Sequence, residues 1–202
     1  SFVLQWARLG IGAAVFLLAA RFLTLAEIGL FATAFAPLRL AQSLHKAGIV
    51  EATIIAPHNT RMRNGLFGLS VAAGLALSLT LGAVACLLPD PLGAMLLALS
   101  LIPLIHGLSA VSEALLRRRL AMRSLALRTV MAQGIAAVAT LCALSWGWGA
   151  WALVLFALVN TALSASLSLT LAKWHPTALP GWSDMRLALP KVTQIAARDM
   201  LG

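Results

Sequence analysis

The chain has 202 residues, of which 61% are hydrophobic and 10% charged, and its mean hydropathy is +0.94. A soluble domain is about 45–50% apolar and about 25% charged; a water-soluble fold of this length has nowhere to bury the excess, so an integral membrane protein is expected. The formal charge of +9, from 15 Lys and Arg against 6 Asp and Glu, would suit a nucleic-acid partner, but the placement of the cations points elsewhere.

A hydrocarbon core about 30 Å thick needs about 20 mostly apolar residues per helix. Six segments meet this in chain order: residues 6–23, 28–44, 66–88, 92–116, 129–146 and 151–172. A seventh begins near Leu187 and ends with the chain at Gly202. The expected fold is therefore all-α, a polytopic membrane helix bundle. Residues 1–186 form a six-helix lobe, and 187–202 start the next helix. Because residue 1 is Ser and the last segment has barely begun, the chain reads as a fragment of a longer protein.

The first segment ends in Arg21, placed to snorkel to the interface or to point into a cavity mouth. The second carries Arg39 about 16 Å beyond Ile28 at ~1.5 Å per residue, near mid-membrane. Gln42 and Lys46 follow three and seven residues later, on the same helical face. Ionisable residues at such depth face a bundle interior or a wet cavity. Arg39 is thus either a ligand for an anionic group or the partner of a carboxylate on a neighbouring helix.

The third segment repeats Ser70, Gly74, Ser78 and Gly82 at four-residue spacing, a ridge that lets another helix approach closely. The fourth aligns His106, Ser109, Glu113 and Arg117. Glu113 and Arg117 are four apart and can pair locally; alternatively, Glu113 or His106 carries a coupling proton, or Glu113 partners Arg39. The sixth segment has the stripe Asn160, Ser164 and Ser168, a packing surface in which Asn160 could also line a cavity. Cys86 and Cys142 lie within apolar runs and indicate neither a disulfide framework nor a metal site.

Most of the Lys and Arg lie in alternate connectors: Lys46, Arg61 and Arg63 after the second segment, Arg117, Arg118, Arg119, Arg123 and Arg128 after the fourth, and Lys173, Arg186 and Lys191 after the sixth. Arg8 lies on the same side. The intervening connectors, residues 24–27, 89–91 and 147–150, contain none. The positive-inside rule then makes the N-terminus and the basic connectors cytoplasmic. The basic composition is a topology signal, and no nucleic-acid partner is expected; the cations would touch anionic membrane lipids. Trp146, Trp148 and Trp151 at one boundary, and Trp174 and Trp182 past another, read as interface anchors.

Two hairpin motifs carry a family resemblance. Ala20-Arg21-Phe22-Leu23-Thr24, with Glu27-Ile28-Gly29-Leu30-Phe31, resembles the first hairpin of bacterial polysaccharide and lipid-linked oligosaccharide flippases, the O-antigen flippase-like branch of the multidrug/oligosaccharidyl-lipid/polysaccharide transporter superfamily. Leu25, Ala26 and Ile28 depart from that family's usual Pro, acid and aromatic. Gly147-Trp148-Gly149-Ala150-Trp151-Ala152-Leu153 is similar to its turn into the sixth helix. Lys46-Ala47-Gly48-Ile49 with Ala52, and Arg123-Ser124-Leu125-Ala126-Leu127-Arg128, follow in register.

The resemblance implies a transporter of two lobes, of which this chain would be the N-terminal one, with the C-terminal lobe missing. Substrate would pass between the lobes by alternating access at the bacterial inner membrane. It also implies a cationic cavity for a lipid-linked oligosaccharide on a diphosphate lipid carrier, to which Arg39, Gln42, His106, Glu113, Asn160 and Arg21 are the candidate contributors. No cofactor, metal or catalytic residue is expected. A drug or cation exporter of the same superfamily is the alternative, but it needs carboxylates at membrane depth, where this chain offers only Glu113, near a helix end, against Arg39 near mid-membrane. A membrane-embedded enzyme of polysaccharide assembly would need chemistry in sizeable outer loops, and these connectors are a few residues long.

Overall fold

The computed structural model describes residues 2–55, 60–118 and 122–172, all in helices or the turns between them. The helices are α1 (Phe2–Phe22), α2 (Leu25–Ile55), α3 (Thr60–Cys86), α4 (Leu92–Leu99), α5 (Leu101–Arg118), α6 (Met122–Ser145) and α7 (Trp151–Ala172). Four stretches are long and apolar enough to cross a bilayer: Arg61–Cys86, Leu92–Arg118, Ser124–Ser145 and Trp151–Ala172. α1 adds a shorter apolar run, Gly10–Phe22. The chain is a multi-pass, all-α membrane helix bundle. The segment expected from Leu187 onward, together with Trp174, Trp182, Lys173, Arg186 and Lys191, lies outside the described residues.

Helix boundaries differ from the sequence expectation: α1 and α3 start earlier, at Phe2 and Thr60 rather than 6 and 66, and three differences go further. α2 runs for 31 residues, about 46 Å at 1.5 Å per residue, well past residue 44. Hydropathy falls there, but the Lys46, Ala47, Glu51 and Ala52 that follow still favour helix. For the same reason α6 begins at Met122 rather than 129 and takes in the basic stretch up to Arg128.

The fourth segment, expected as one helix, is broken at Ser100 into α4 and α5. Pro103 has no N–H to give the Leu99 carbonyl, and its ring crowds the preceding turn. The chain turns tightly instead: the Ser100 N–H donates to Leu96 O at 2.8 Å and to Leu97 O at 3.2 Å. The Ser100 hydroxyl donates to Leu97 O at 2.7 Å, so the polar groups at this buried break are occupied.

α5 is the central helix, packed against α2, α3 and α7. In the most apolar 18-residue stretch of the α4–α5 span 56% of residues are buried, against 22–39% in the corresponding stretches of the other three. A large apolar cluster joins Ala34 and Leu38 of α2, Leu81 of α3, Met95, Leu96 and Leu99 of α4, Ile102 of α5 and Val154 of α7. A second joins Ala19 and Leu23 to Ala143, Leu144, Ala152 and Leu153. Phe31 packs against both. α1 packs along α6, whereas α2 packs along α3, α4 and α5. The two legs of the α1–α2 hairpin therefore belong to different sides of the bundle.

The small-residue ridge of α3 is a packing surface, as its spacing suggests. A Cβ on Gly74 would stand 2.6 Å from Pro103 O, and one on Gly107 would stand 2.6 Å from Ser70 O. The Ser70 hydroxyl donates to Gly107 O at 2.9 Å. Replacing Gly74 with Ala should cost a net 1–2 kcal/mol, roughly: overpacking against backbone costs about 1–3, and alanine's helix propensity returns up to about 1. Gly134 is also helical and has nothing within 4 Å of its would-be Cβ, so Gly134→Ala keeps the propensity gain without the overlap. Melting of the two variants in detergent separates the terms, and equal stability of both would remove close approach as the reason for Gly74.

Candidate functional site

Arg39 sits well within α2 and is exposed on the flank of the bundle. Its position follows from the helix face: Ala34 and Leu38 are buried in the main cluster at 1% and 0% exposure, which turns residue 39 away from the core. Its guanidinium carbon lies over the Phe35 ring, 5.2 Å from the centroid. Phe35 in turn stacks on Phe31, with centroids 5.1 Å apart and ring planes 20° apart. Both rings pack against the main cluster. Arg39 forms no ion pair or hydrogen bond among the described residues, so the carboxylate partner considered for it is not formed there. Pro37 lies within the same helix, two residues before Arg39.

The other candidates are dispersed. Gln42 is half-buried one turn beyond Arg39, and the Lys46 side chain lies outside the described residues. Arg21 is exposed in the last turn of α1. His106 is half-buried on α5. Asn160 is half-buried on α7, with its Oδ1 shielded from solvent and without a hydrogen-bond partner. Among the described residues no group of three His, Cys, Asp or Glu could hold a metal ion.

Glu113 belongs to a second centre. Its Oε1 accepts from Arg117 Nη2 at 2.8 Å and from Arg117 Nε at 3.3 Å, the local pairing that the four-residue spacing allows. Its Oε2 faces Arg128 Nη1 of α6 at 3.8 Å. That same nitrogen donates to the Ser168 hydroxyl of α7, which donates onward to Ser164 O at 2.5 Å. The side chains of Glu113 and Arg128 are only 17% and 9% exposed, whereas that of Arg117 is 51% exposed. A carboxylate on α5, a guanidinium on α6 and a hydroxyl on α7 thus meet in one place. Sequence reasoning placed Arg128 in a connector and missed it. The available signal was its register: Arg128, Ala132, Ala136 and Thr140 recur every four residues on α6, and all are buried.

The two hairpin motifs meet at the opposite end of the bundle. Thr24 and Glu27 form a capping box at the start of α2. The Thr24 N–H and hydroxyl each donate to Glu27 Oε2 at 2.8 Å, and the Glu27 N–H donates to Thr24 Oγ1 at 3.3 Å, satisfying donors that helix geometry leaves open. The other carboxylate oxygen reaches the α6–α7 turn, where a Cβ on Gly149 would meet Glu27 Oε1. Gly149 also has φ +55°, a backbone angle that favours glycine, and a side chain there would displace the Glu27 carboxylate. Trp146, Trp148 and Trp151 surround this turn at 76%, 50% and 39% exposure, as residues of an interface belt are.

The Thr24 backbone N–H and hydroxyl hold the Glu27 carboxyl below its ordinary 4.5, and the Ala150 backbone N–H adds to them. Since the folded value is the lower one, this clasp stabilises the fold fully above pH 4.5 and is lost as pH falls through the depressed value. Glu27→Gln should therefore melt below the wild type at pH 7, with the gap closing on acidification to pH 3. A gap independent of pH would mean that the charge has no part in the clasp.

A family model described as a polysaccharide biosynthesis protein matches residues 18–190. No curated protein and no solved structure matches the chain.

Proposed function

The chain belongs to the polysaccharide biosynthesis protein family, and from that premise we propose that it acts in a flippase. The cargo is a lipid-linked oligosaccharide or polysaccharide precursor, carried across the bacterial inner membrane by alternating access, with a second lobe opposite this one. On this reading the protein is a transporter rather than an enzyme. The observation that carries it is Arg39, a cation within α2, exposed and with its hydrogen-bond donors uncommitted among the described residues. A planar fork of donors suits the oxygens of a diphosphate, and an organic cation would be repelled there. The membrane-embedded carboxylate Glu113 is flanked by Arg117 and Arg128, an arrangement unsuited to receiving a cationic drug. The basic connectors favour a cytoplasmic N-terminus.

The test is reconstitution of the full-length protein in vesicles, with two cargoes compared. Translocation of undecaprenyl-diphosphate-linked oligosaccharide, without efflux of a lipophilic cation such as ethidium, is the expected result. Cation efflux without lipid translocation would transfer the protein to the exporter class.

A further inference from the structure

Arg39 has a feature that its charge alone does not explain: it rests on a built aromatic pillar. Phe31, Phe35 and Arg39 follow at four-residue spacing on one face of α2, ring on ring and guanidinium on ring. The base of the pillar is fixed, because Phe31 packs against two apolar clusters and Phe35 against one. The top is open, because Arg39 is exposed.

An aromatic face attracts a cation through its quadrupole and uses none of the five N–H donors of a guanidinium. A carboxylate partner would fix the side chain equally well, but it would occupy the fork and cancel the charge. A free arginine on a flexible stem would keep its donors and lose its rotamer freedom on being immobilised by a ligand. The stack avoids both costs.

We propose that Phe35, supported by Phe31, is a positioning residue that holds the Arg39 guanidinium ready for a lipid-borne diphosphate. This rests on the reading of Arg39 given above and adds to it how the side chain is oriented. Packing in the bundle requires only an apolar side chain at 35; positioning requires a π face. The two roles therefore separate under substitutions that preserve shape.

The experiment measures binding of undecaprenyl diphosphate to the full-length protein in phosphatidylcholine nanodiscs. The variants are Arg39→Ala, Phe35→Leu, Phe35→Trp and the wild type carrying pentafluorophenylalanine at position 35, which keeps the ring's shape and removes its attraction for cations. Loss of one exposed cation–π contact should weaken binding by about two- to five-fold in Phe35→Leu and in the fluorinated protein, at unchanged melting temperature in the latter. Phe35→Trp should bind at least as tightly as the wild type.

Wild-type binding by the fluorinated protein, with binding weakened in Arg39→Ala, would overturn the role of Phe35 and leave that of Arg39 standing. Wild-type binding by Arg39→Ala would remove both. Should Phe35→Leu fail to fold, the fluorinated protein still decides the matter. Displacement of the probe by phosphatidylglycerol at equal concentration would overturn the assignment to a diphosphate, since that lipid carries a single phosphate.

Discussion

Arg39→Ala should abolish translocation of the lipid-linked oligosaccharide while the protein still inserts and folds. The side chain is exposed and has no counter-charge among the described residues, so its removal leaves no buried group unpaired. An arginine at the centre of a span costs about 2.5–3.5 kcal/mol on insertion scales, so the alanine variant should insert at least as readily as the wild type. Against this, two charge-assisted hydrogen bonds to a diphosphate are worth about 1.5–3 kcal/mol each, which amounts to two orders of magnitude or more, roughly, in affinity. Arg39→Lys should recover part of the activity, because it keeps the charge and loses the fork. Vesicle translocation read alongside membrane abundance separates transport from folding. Unchanged transport in the alanine variant would take Arg39 out of the mechanism.

Arg128→Met should be the most destabilising single substitution among those considered, at about 2–3 kcal/mol. Removing one member of a buried ion pair costs about 3–5 kcal/mol, because the other charge is stranded. Here the cost is reduced, since Glu113 keeps Arg117. Arg117 is 51% exposed, however, and exposed pairs are worth only about 0–1 kcal/mol. Ser168 loses its donor from α6 but keeps its bond to Ser164 O. Adding Glu113→Gln to Arg128→Met should restore part of the loss, since no charge is then stranded, and a double-mutant cycle measures the coupling. Additive losses would show that the 3.8 Å approach of Glu113 and Arg128 carries no energy.

These two arginines show how far charge can be read from a chain of this kind. Both were visible as cations in or near apolar segments. Arg39 reads as a cation within a helical segment because the stretch from Ile28 to Leu38 before it is largely apolar, and the structure places it within α2. Arg128 reads as a connector residue because hydropathy drops at Arg123, and hydropathy marks where a membrane ends rather than where a helix ends. α6 starts at Met122, and the extra turns place Arg128 on the buried face of Ala132 and Ala136. The same confusion of span with helix shortened α2. The break at Ser100 had a visible cause in Pro103, yet an unbroken run of apolar residues conceals it from a hydropathy count.

What the sequence determined by itself was everything that depends on composition and local period. Excess apolar content required a membrane, and runs of about 20 residues placed four of the six expected spans, those of α3, α4–α5, α6 and α7. The four-residue period of Ser70 and Gly74 marked a close helix contact, and the spacing of Glu113 and Arg117 marked a local ion pair. What only the tertiary structure decided was which distant residues share one environment. Thr24-x-x-Glu27 is legible as a capping box, but that its second oxygen reaches Gly149 depends on two hairpins meeting. Glu113 could have paired with Arg39 or with Arg128; the packing of α5 against α6 and α7 set the second arrangement and left Arg39 on its aromatic pillar. The physical reason is that a hydropathy pattern and a local period depend only on residues near in sequence, so the sequence states which polar groups lie in the apolar segments but not which helices bring them together.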